Sequence, residues 1–333
     1  MVIRSSILET LKERQKLAGA VINVPDSKSR IAFLYPSKDR AEASRQTLMT
    51  LDSEKGFDLL WVDGSETPEG RALTDEFRPR NFHLIEVLKD VKGKDKACYL
   101  GMDKLFAMGY DYIGLVENEL SFEPGWFRRL LQLFELAAEE GLAVGEATVR
   151  NFNSRVIEYR DRYTINWNTG AGMALWSRAG FQLIRQMCDQ MSARKINRFY
   201  AESLGIDLGE ALFRGRPDRM MSCDWTYEVA LYQNGLAAVG SIPSLVRDLV
   251  LDVKLELGDS RVEQDVAGKG LARRKISGAK LFWIRLTDPL YPLAWSILKK
   301  LPSLYRSIQK IMAQGYQKKI VKINSEIPWD SFR

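Results

Sequence analysis

With 333 residues, of which 45% are apolar and 28% charged, the chain has the composition of a folded globular protein and can bury one large core or two smaller ones. No apolar run reaches the roughly 18–20 residues of a membrane-spanning helix, and the N-terminal residues show no secretory signal. The three cysteines lie too far apart for a metal-binding spacing, which favours reduced thiols in a cytoplasmic protein.

The net charge of +6 is concentrated near the C-terminus. Thirteen Lys or Arg and a single acid, Asp288, fall between Lys269 and Lys322, so this segment carries +12 and the rest of the chain −6. Because the basic residues are confined to one segment, we expect no nucleic-acid partner for the main domain. The segment itself requires a separate explanation.

Three parts are predicted in chain order. Residues 1–28 form an amphipathic N-terminal helix and a turn, residues 29–250 alternate short apolar runs with helical patterns, and residues 251–333 form a basic, amphipathic helical extension. The alternation in the middle part is typical of an α/β domain, in which helices cover both faces of a mainly parallel sheet. Strands are predicted there at 30–35, 57–62, 82–88, 112–116 and 143–149, and helices at 39–51, 95–108 and 124–140.

Polar side chains directly follow three of these predicted strands. Ser37 and Asp39 follow the first, Asp63 the second, and Glu117 and Glu119 the fourth. The carboxyl ends of parallel strands share one edge of a sheet, and ligands bind beyond that edge. The sequence therefore predicts a ligand site there.

Four stretches of this domain follow the order and separation of a known family's motifs. They are residues 34–40 (LYPSKDR), 61–65 (WVDGS), 109–120 (GYDYIGLVENEL) and 223–235 (CDWTYEVALYQNG). Together they resemble the family 2 glycosyltransferases, and the resemblance runs from about Arg30 to Arg247. It implies the GT-A fold, which is Rossmann-like, and transfer of a sugar from a nucleotide-diphosphate donor.

The resemblance implies a nucleotide pocket around Asp63. The matching Asp of the family accepts hydrogen bonds from the nucleobase or ribose of the donor, and Ser37 and Asp39 would line the same pocket. Structural alternatives stay open for all three residues. Asp63 can hold a turn beside Gly64, and Ser37 or Asp39 can cap the helix that follows.

Glu117 and Glu119 stand at the place of the family's D-x-D pair, although this chain has Glu at both positions. The resemblance implies that Glu119 binds a divalent cation, Mn²⁺ or Mg²⁺, which neutralises the departing diphosphate, and that Glu117 lies beside the ribose. The alternative is a pair of solvated acids in a loop.

Asp224 is the candidate catalytic base. An inverting transfer requires a carboxylate or imidazole within reach of the acceptor hydroxyl. Asp224 matches the Asp of the family's E-D pair, while Cys223 replaces the preceding Glu. A plain helix N-cap is the alternative role for Asp224. His83, the single histidine, falls in the third predicted strand, where we interpret it as a core or edge residue.

Further donor contacts are predicted in two segments. Residues 166–175 resemble the small-residue stretch beneath the donor sugar, where Gly170 and Gly172 allow close backbone approach and Trp167 stacks on a sugar face. A bulged strand with a buried Trp is the alternative. Lys96, in a cluster of lysines ahead of the acidic motif, is the candidate diphosphate contact.

Residues 276–322 combine an apolar and aromatic stripe with lysines, a pattern typical of a helix that lies on an anionic membrane surface. The same stripe suits packing on the catalytic domain or on a second copy of the chain in a homo-oligomer. A lipid-linked acceptor favours the membrane interpretation, which predicts peripheral contact with the inner face of the cell membrane.

The sequence thus predicts an inverting enzyme of the hexosyltransferase class, which moves a sugar from a UDP- or GDP-sugar to a hydroxyl of a glycan or lipid-linked acceptor in cell-envelope polysaccharide biosynthesis. Two alternatives stay open. A membrane-associated scaffold of the same fold without catalysis would explain the two Glu substitutions and Cys223. A nucleotidyltransferase would need a glycine-rich phosphate loop after the first strand, and residues 36–40 contain no glycine.

Overall fold

The computed structural model describes residues 7–150, 156–166, 169, 172–188, 202, 230–249, 278, 279 and 282. The predicted extension at 251–333 therefore lies outside the described residues, apart from three isolated positions. None of the helices within these ranges combines the length and the apolar character needed to cross a bilayer.

Strands and helices alternate between residues 31 and 148, as predicted, except that a short strand at 120–122 follows the strand at 112–116 without a helix. The helices are α1 (Ile7–Ala18), α2 (Ala41–Leu51), α3 (Pro68–Glu76), α4 (Lys94–Ala107), α5 (Trp126–Glu139) and α6 (Arg178–Cys188). The strands are β1 (Ile31–Ser37), β2 (Asp58–Asp63), β3 (His83–Leu88), β4 (Tyr112–Val116), β5 (Leu120–Phe122), β6 (Val144–Thr148), β7 (Val156–Tyr159), β8 (Tyr163–Asn166), β9 (Met173–Ser177), β10 (Ala237–Ser241) and β11 (Val246–Asp248).

The predicted α/β architecture with a mainly parallel sheet is confirmed. In the described part of the chain the main sheet has the strand order β3-β2-β1-β4-β9-β6-β10-β8-β7, and its first four strands run parallel. β9 runs antiparallel between β4 and β6, and β8 and β7 form an antiparallel edge beside β10. The carboxyl ends of β1 to β4 therefore lie at one edge of the sheet, where the sequence predicts the site.

β1 is buried along its whole length because helices cover both faces of the sheet. Phe33 and Tyr35 belong to the core beneath α5, where Trp126 meets Phe33 edge-on with ring centroids 5.7 Å apart. Leu34 belongs to the opposite core beneath α4, and Gly101 of α4 permits the approach, since a side chain there would overlap Leu34. A strand buried on both faces is apolar at nearly every position, which explains the continuous apolar run.

Two short elements beside the site are not predicted by the sequence patterns. α3 has only nine residues, with Pro68 in its first turn and Thr67 as its N-cap, whose hydroxyl accepts a hydrogen bond from the Gly70 N–H over 3.2 Å. β5 has three residues and pairs antiparallel with β11 in a separate two-stranded sheet. Elements this short contain too few residues to produce a hydrophobic period.

His83 is an edge residue. It opens β3, the outermost parallel strand, and its exposed imidazole lies 3.7 Å from the Asp58 carboxylate, between Nδ1 and Oδ1. Its side chain is remote from the cleft described below.

The N-terminal helix α1 packs against the rest of the domain. Leu8 and Leu11 belong to the main core, and the Gln15 side chain donates to the Gly141 carbonyl (3.3 Å) and accepts from the Ala143 N–H (2.9 Å). A Cβ at Gly235 would overlap the α1 backbone at Arg14 and Gln15. The predicted helix over residues 1–28 is thus observed at 7–18, as a packed part of the domain.

Replacing Gly235 with Ala should release α1 from the domain. Gly235 and Gly19 both have left-handed φ angles (+70° and +64°), so each Ala variant carries a backbone cost of about 1–2 kcal/mol. Only Gly235 faces backbone atoms, whereas nothing lies within 4 Å of the Cβ position at Gly19. We expect Gly235→Ala to lose about 1–3 kcal/mol more than Gly19→Ala in urea unfolding. Equal losses would contradict this packing.

Candidate functional site

A cleft of about 480 Å³ opens at the carboxyl ends of β1 and β4. Its walls are the residues after β1, the segment between β3 and α4, and residues 117–119, here named the acidic loop. The lining residues are Pro36, Ser37, Lys38, Asp39, Arg40, Val91, Gly93, Ala97, Glu117, Asn118 and Glu119. Four of the predicted site residues, Ser37, Asp39, Glu117 and Glu119, therefore share one cleft.

Asp63 lies behind the cleft wall, with only 2% of its surface exposed. Its Oδ1 accepts hydrogen bonds from the Ser37 hydroxyl (2.6 Å), the Ser65 hydroxyl (2.7 Å) and the Ser65 N–H (3.3 Å). The Trp61 indole N–H donates to the Ser37 hydroxyl oxygen over 2.7 Å. The structural alternative for Asp63 is a carboxylate that stabilises its own turn, and these hydrogen bonds are the ones that such a carboxylate forms. Asp63 contacts the cleft lining through Ser37, and its role toward a nucleoside stays a prediction.

Asp39 ties the loop after β1 to the start of α3. Its Oδ1 accepts from the N–H groups of Glu66 (2.8 Å) and Thr67 (2.9 Å), and its own N–H donates to the Ser65 hydroxyl oxygen (3.0 Å). The backbone hydrogen bonds from Thr67 and Glu66 lower the pKa of the Asp39 carboxyl below its ordinary value of 3.8. Asp39 is therefore ionised at neutral pH.

Neither Ser37 nor Asp39 caps α2, which was the structural alternative for both. The N-cap of α2 is Arg40, in a left-handed conformation with φ 52°, and no side chain caps this end of the helix. The side chains of Ser37 and Asp39 hold the neighbouring loops instead, so both residues shape the cleft wall.

The acidic loop is fixed by hydrogen bonds to three other parts of the chain. The Glu117 N–H donates to the Gly172 carbonyl and the Leu249 N–H donates to the Glu119 carbonyl, each over 2.8 Å. Between them, the Asn118 amide donates to the Ser44 hydroxyl oxygen over 2.9 Å. The side chains of Glu117 and Glu119 are 18% and 20% exposed. They are therefore partly buried carboxylates on a fixed backbone, and the alternative of two solvated loop acids is wrong.

Each of these carboxylates lies beside an arginine that the sequence patterns do not identify as part of the site. Arg40 forms an ion pair with Glu119, and the Arg150 guanidinium lies 3.9 Å from the Glu117 carboxylate. Arg150 also forms a buried ion pair with Asp248 at the end of β11. Arg40 belongs to the quoted stretch 34–40, whereas Arg150 and Asp248 lie in no motif.

Gly172 has a steric role next to this pair. A Cβ at this position would overlap the Arg150 guanidinium and would lie 3.1 Å from the Glu117 carboxylate. In the described residues, the group that closely approaches Gly172 is therefore the Arg150 side chain. Contact between Gly172 and a donor sugar stays a prediction.

The remaining predicted site residues fall outside the cleft or outside the described residues. Lys96 is exposed on α4 and is not among the lining residues, although Gly93 and Ala97 on either side of it are. Trp167, Gly170 and Asp224 lie outside the described residues.

The oxygen ligands available in the cleft suit a hard divalent cation. Among the residues that the structure describes, no group of three or more His, Cys, Asp or Glu could hold a metal ion. Magnesium, however, is commonly held by one or two carboxylates together with substrate phosphates and water. Glu117 and Glu119 can supply the one or two carboxylates that the protein contributes, so the residues present fit a cation that binds together with a diphosphate.

The described residues define a mixed α/β protein with a polar cleft at the carboxyl edge of parallel strands. No protein-family model and no curated protein matches the chain. Among solved structures, it is similar to the mannosyltransferase PcManGT from Pyrobaculum calidifontis in complex with GDP-Man and Mn²⁺, with 14% identity, a TM-score of 0.35 and coverage of 54% of each chain. It is also similar to S. aureus TarS, with 10% identity, a TM-score of 0.42 and coverage of 78% of this chain and 43% of TarS. The matches thus span about half the length of these structures.

Removing the Asp63 carboxylate should destabilise the domain. Asp63→Ala would leave the buried hydroxyls of Ser37 and Ser65 without their acceptor, at a cost of about 2–3 kcal/mol in the free energy of unfolding. Asp75→Ala is the matched control, because Asp75 is exposed and its partner among the described residues is Lys89, in a surface ion pair worth about 0–1 kcal/mol. Similar losses in chemical denaturation would show that the network does not stabilise the fold.

Proposed function

We propose that the chain is an inverting glycosyltransferase with a UDP- or GDP-sugar as donor. The observation that carries the proposal is the meeting of Ser37, Asp39, Glu117 and Glu119 in one cleft. These residues come from two of the stretches that resemble the family 2 glycosyltransferases, and a third stretch, 61–65, supports the cleft wall through Asp63. A donor site requires this convergence, whereas unrelated turn sequences do not.

The charge of the cleft supports a role for a divalent cation. The lining carries two positive side chains, Lys38 and Arg40, and three negative ones, Asp39, Glu117 and Glu119. A nucleoside diphosphate is itself negative, so this lining disfavours its binding unless positive charge is added. We propose that Glu119, with Glu117 beside it, holds Mn²⁺ or Mg²⁺, which would neutralise the leaving diphosphate.

The proposed roles of the chain's residues run along the bound donor, from its nucleoside to its sugar. We propose that Ser37 and Asp39 form the nucleoside end, with Asp63 behind Ser37, and that Glu117 lies beside the ribose. Gly170, Gly172 and Trp167 are proposed to lie against the sugar, and Lys96 near the diphosphate.

The transfer step requires a base on the acceptor side, and we assign it to Asp224. Its carboxylate takes the proton of the acceptor hydroxyl while the hydroxyl oxygen bonds to the anomeric carbon. The bond between that carbon and the diphosphate oxygen breaks at the same time, and the nucleoside diphosphate leaves with the bonding electrons. A single displacement of this kind inverts the configuration of the sugar.

The acceptor in this proposal is a hydroxyl of a glycan or of a lipid-linked precursor in the cell envelope. The basic, aromatic stripe at 276–322 supports it, because such a stripe can hold the enzyme at an anionic membrane surface where a lipid-linked acceptor lies.

One observation favours a second candidate, a scaffold of the same fold without catalysis. Arg40 pairs with Glu119 and Arg150 lies beside Glu117, so each carboxylate of the acidic loop has a guanidinium neighbour in the absence of a cation. The two candidates differ in whether the cleft binds nucleotide and cation and whether donor is consumed.

The first test is a thermal-shift comparison of UDP, GDP, CMP and dTDP, each with and without Mn²⁺. A nucleotide at about 100 times its dissociation constant should stabilise the fold by about 2.7 kcal/mol. We expect UDP or GDP to act, and Mn²⁺ to enhance the effect. Glu119→Gln should lose the Mn²⁺-dependent part, while Glu123→Gln, an exposed acid outside the cleft, should keep it. An unchanged Mn²⁺ effect in Glu119→Gln would exclude Glu119 as the ligand.

The second test concerns Asp224 and measures donor turnover. General-base catalysis contributes about 10²–10⁴-fold, so Asp224→Asn should lower turnover by at least about 100-fold and leave nucleotide affinity unchanged. Asp218→Asn, a nearby acid outside the motif, is the control. Wild-type turnover that survives in Asp224→Asn would reassign the base, and a scaffold would show no turnover in any variant.

A further inference from the structure

We propose that Arg40 is a diphosphate-binding residue that is held by Glu119 in the cation-free protein and leaves Glu119 when this carboxylate takes a divalent cation. The proposal rests on the proposed function in one respect, the assignment of Glu119 as a cation ligand. It adds a residue role and a mechanism that couples the binding of the cation to the binding of the nucleotide.

The first observation is that Arg40 and Glu119 both line the cleft and form an ion pair there. Arg40 is fixed by its backbone as the N-cap of α2, where its carbonyl accepts from the Ser44 N–H over 2.9 Å. Glu119 is fixed by the bond from Leu249 to its carbonyl. The backbones of both residues are therefore held in place, and the two side chains that form the ion pair can move.

The second observation is that this ion pair can be broken at low cost. The Arg40 side chain is 53% exposed and the Glu119 side chain 20% exposed, so water solvates the guanidinium as soon as the pair opens and screens the attraction at its exposed end. The pair beside Glu117 differs, because Arg150 is buried against Asp248, and separating a buried pair is far more costly. Of the two acidic-loop carboxylates, Glu119 is therefore the one whose counterion can leave.

The third observation is that a cation and Arg40 require the same group. A divalent cation binds the carboxylate oxygens that a guanidinium also uses, and two positive charges at this distance repel each other. Arg40 contacts Glu119 through Oε2, so a cation on this carboxylate weakens the hold of Glu119 on Arg40 and favours release of the guanidinium.

The fourth observation identifies the group that Arg40 can bind after it leaves Glu119, which is the diphosphate. Arg40 and Lys38 are the positive side chains that line the cleft in the described residues, and Lys38 lies 3.5 Å from the Glu66 carboxylate at the outer surface. A guanidinium can bind two phosphate oxygens at once, in a planar geometry that an ammonium group lacks. Once it leaves Glu119, Arg40 is therefore well placed to bind the diphosphate beside the cation.

These steps predict a specific pattern of binding. In the wild type, part of the cation's binding free energy is spent on displacing Arg40, and the displaced Arg40 then strengthens nucleotide binding. Cation and nucleotide should therefore bind with positive coupling, in which each increases the affinity of the other by the same factor.

The experiment measures the affinity of Mn²⁺ alone by calorimetry, and the affinities of UDP and GDP with and without saturating Mn²⁺. The protein is the full chain as wild type, Arg40→Gln and Arg40→Lys. Arg45→Gln is the matched control, because Arg45 lies on the same helix, is similarly exposed and pairs with Glu42 outside the cleft. Thermal unfolding of each variant verifies that it is folded.

For Arg40→Gln we expect Mn²⁺ alone to bind about tenfold more tightly and the nucleotide, at saturating Mn²⁺, to bind about tenfold more weakly, within the range typical of coupled sites. A variant that merely damages the site would weaken both. Arg40→Lys keeps the charge and loses the planar fork, so its nucleotide affinity should also fall. Arg45→Gln should match the wild type in both measurements.

Two results would overturn the proposal: Mn²⁺ affinity that does not rise in Arg40→Gln, or nucleotide affinity that does not fall. Either result would leave the proposed function intact as long as the wild type binds UDP or GDP and consumes donor. A wild type that binds no nucleotide with Mn²⁺ would overturn the proposed function together with this inference.

Discussion

β1 lies between two parallel partners, and this pairing determines where the polar residues of the cleft can be. Ser37 is in register with Asp63 of β2, and Leu34 is in register with Leu115 of β4. Because successive residues of a strand face opposite sides, a slip of one position would turn Ser37 away from Asp63 and exchange the faces that bury Phe33 and Leu34. The packing of both cores and the geometry of the cleft therefore depend on the same register.

The parts of the fold that could be predicted from the sequence are the elements long enough to show a pattern. β4 is observed at the predicted residues 112–116, whereas β1 continues beyond its predicted end at residue 35, through Pro36 to Ser37. The Ser37 carbonyl accepts from the Gly64 N–H beside β2, so Pro36 faces the side of β4, whose pairing with β1 ends at Leu34. Although proline lacks an N–H, Pro36 therefore costs β1 no hydrogen bond to a neighbouring strand. The sequence of β1 alone cannot show this, because it depends on where the pairing with β4 ends.

The site was predictable to the extent that its residues follow strands. Ser37, Asp39, Glu117 and Glu119 meet because parallel strands end at one edge, a rule that needs no knowledge of side-chain contacts. Their counterions were not predictable in this way. Arg150 and Asp248 meet because β6 and β11 end on either side of the acidic loop, and no local pattern in the sequence encodes a contact between such distant segments. The roles assigned to Asp224, Trp167 and Gly170 stay predictions from the resemblance.

The bond from the Leu249 N–H to the Glu119 carbonyl has a mechanical consequence. β11 ends at Asp248, and the next residue, Leu249, is anchored to the acidic loop by this bond. A displacement of the end of β11 would therefore move the backbone of Glu119. Because Asp248 pairs with Arg150 and Arg150 lies beside Glu117, tension on this strand would reach both carboxylates of the acidic loop at once.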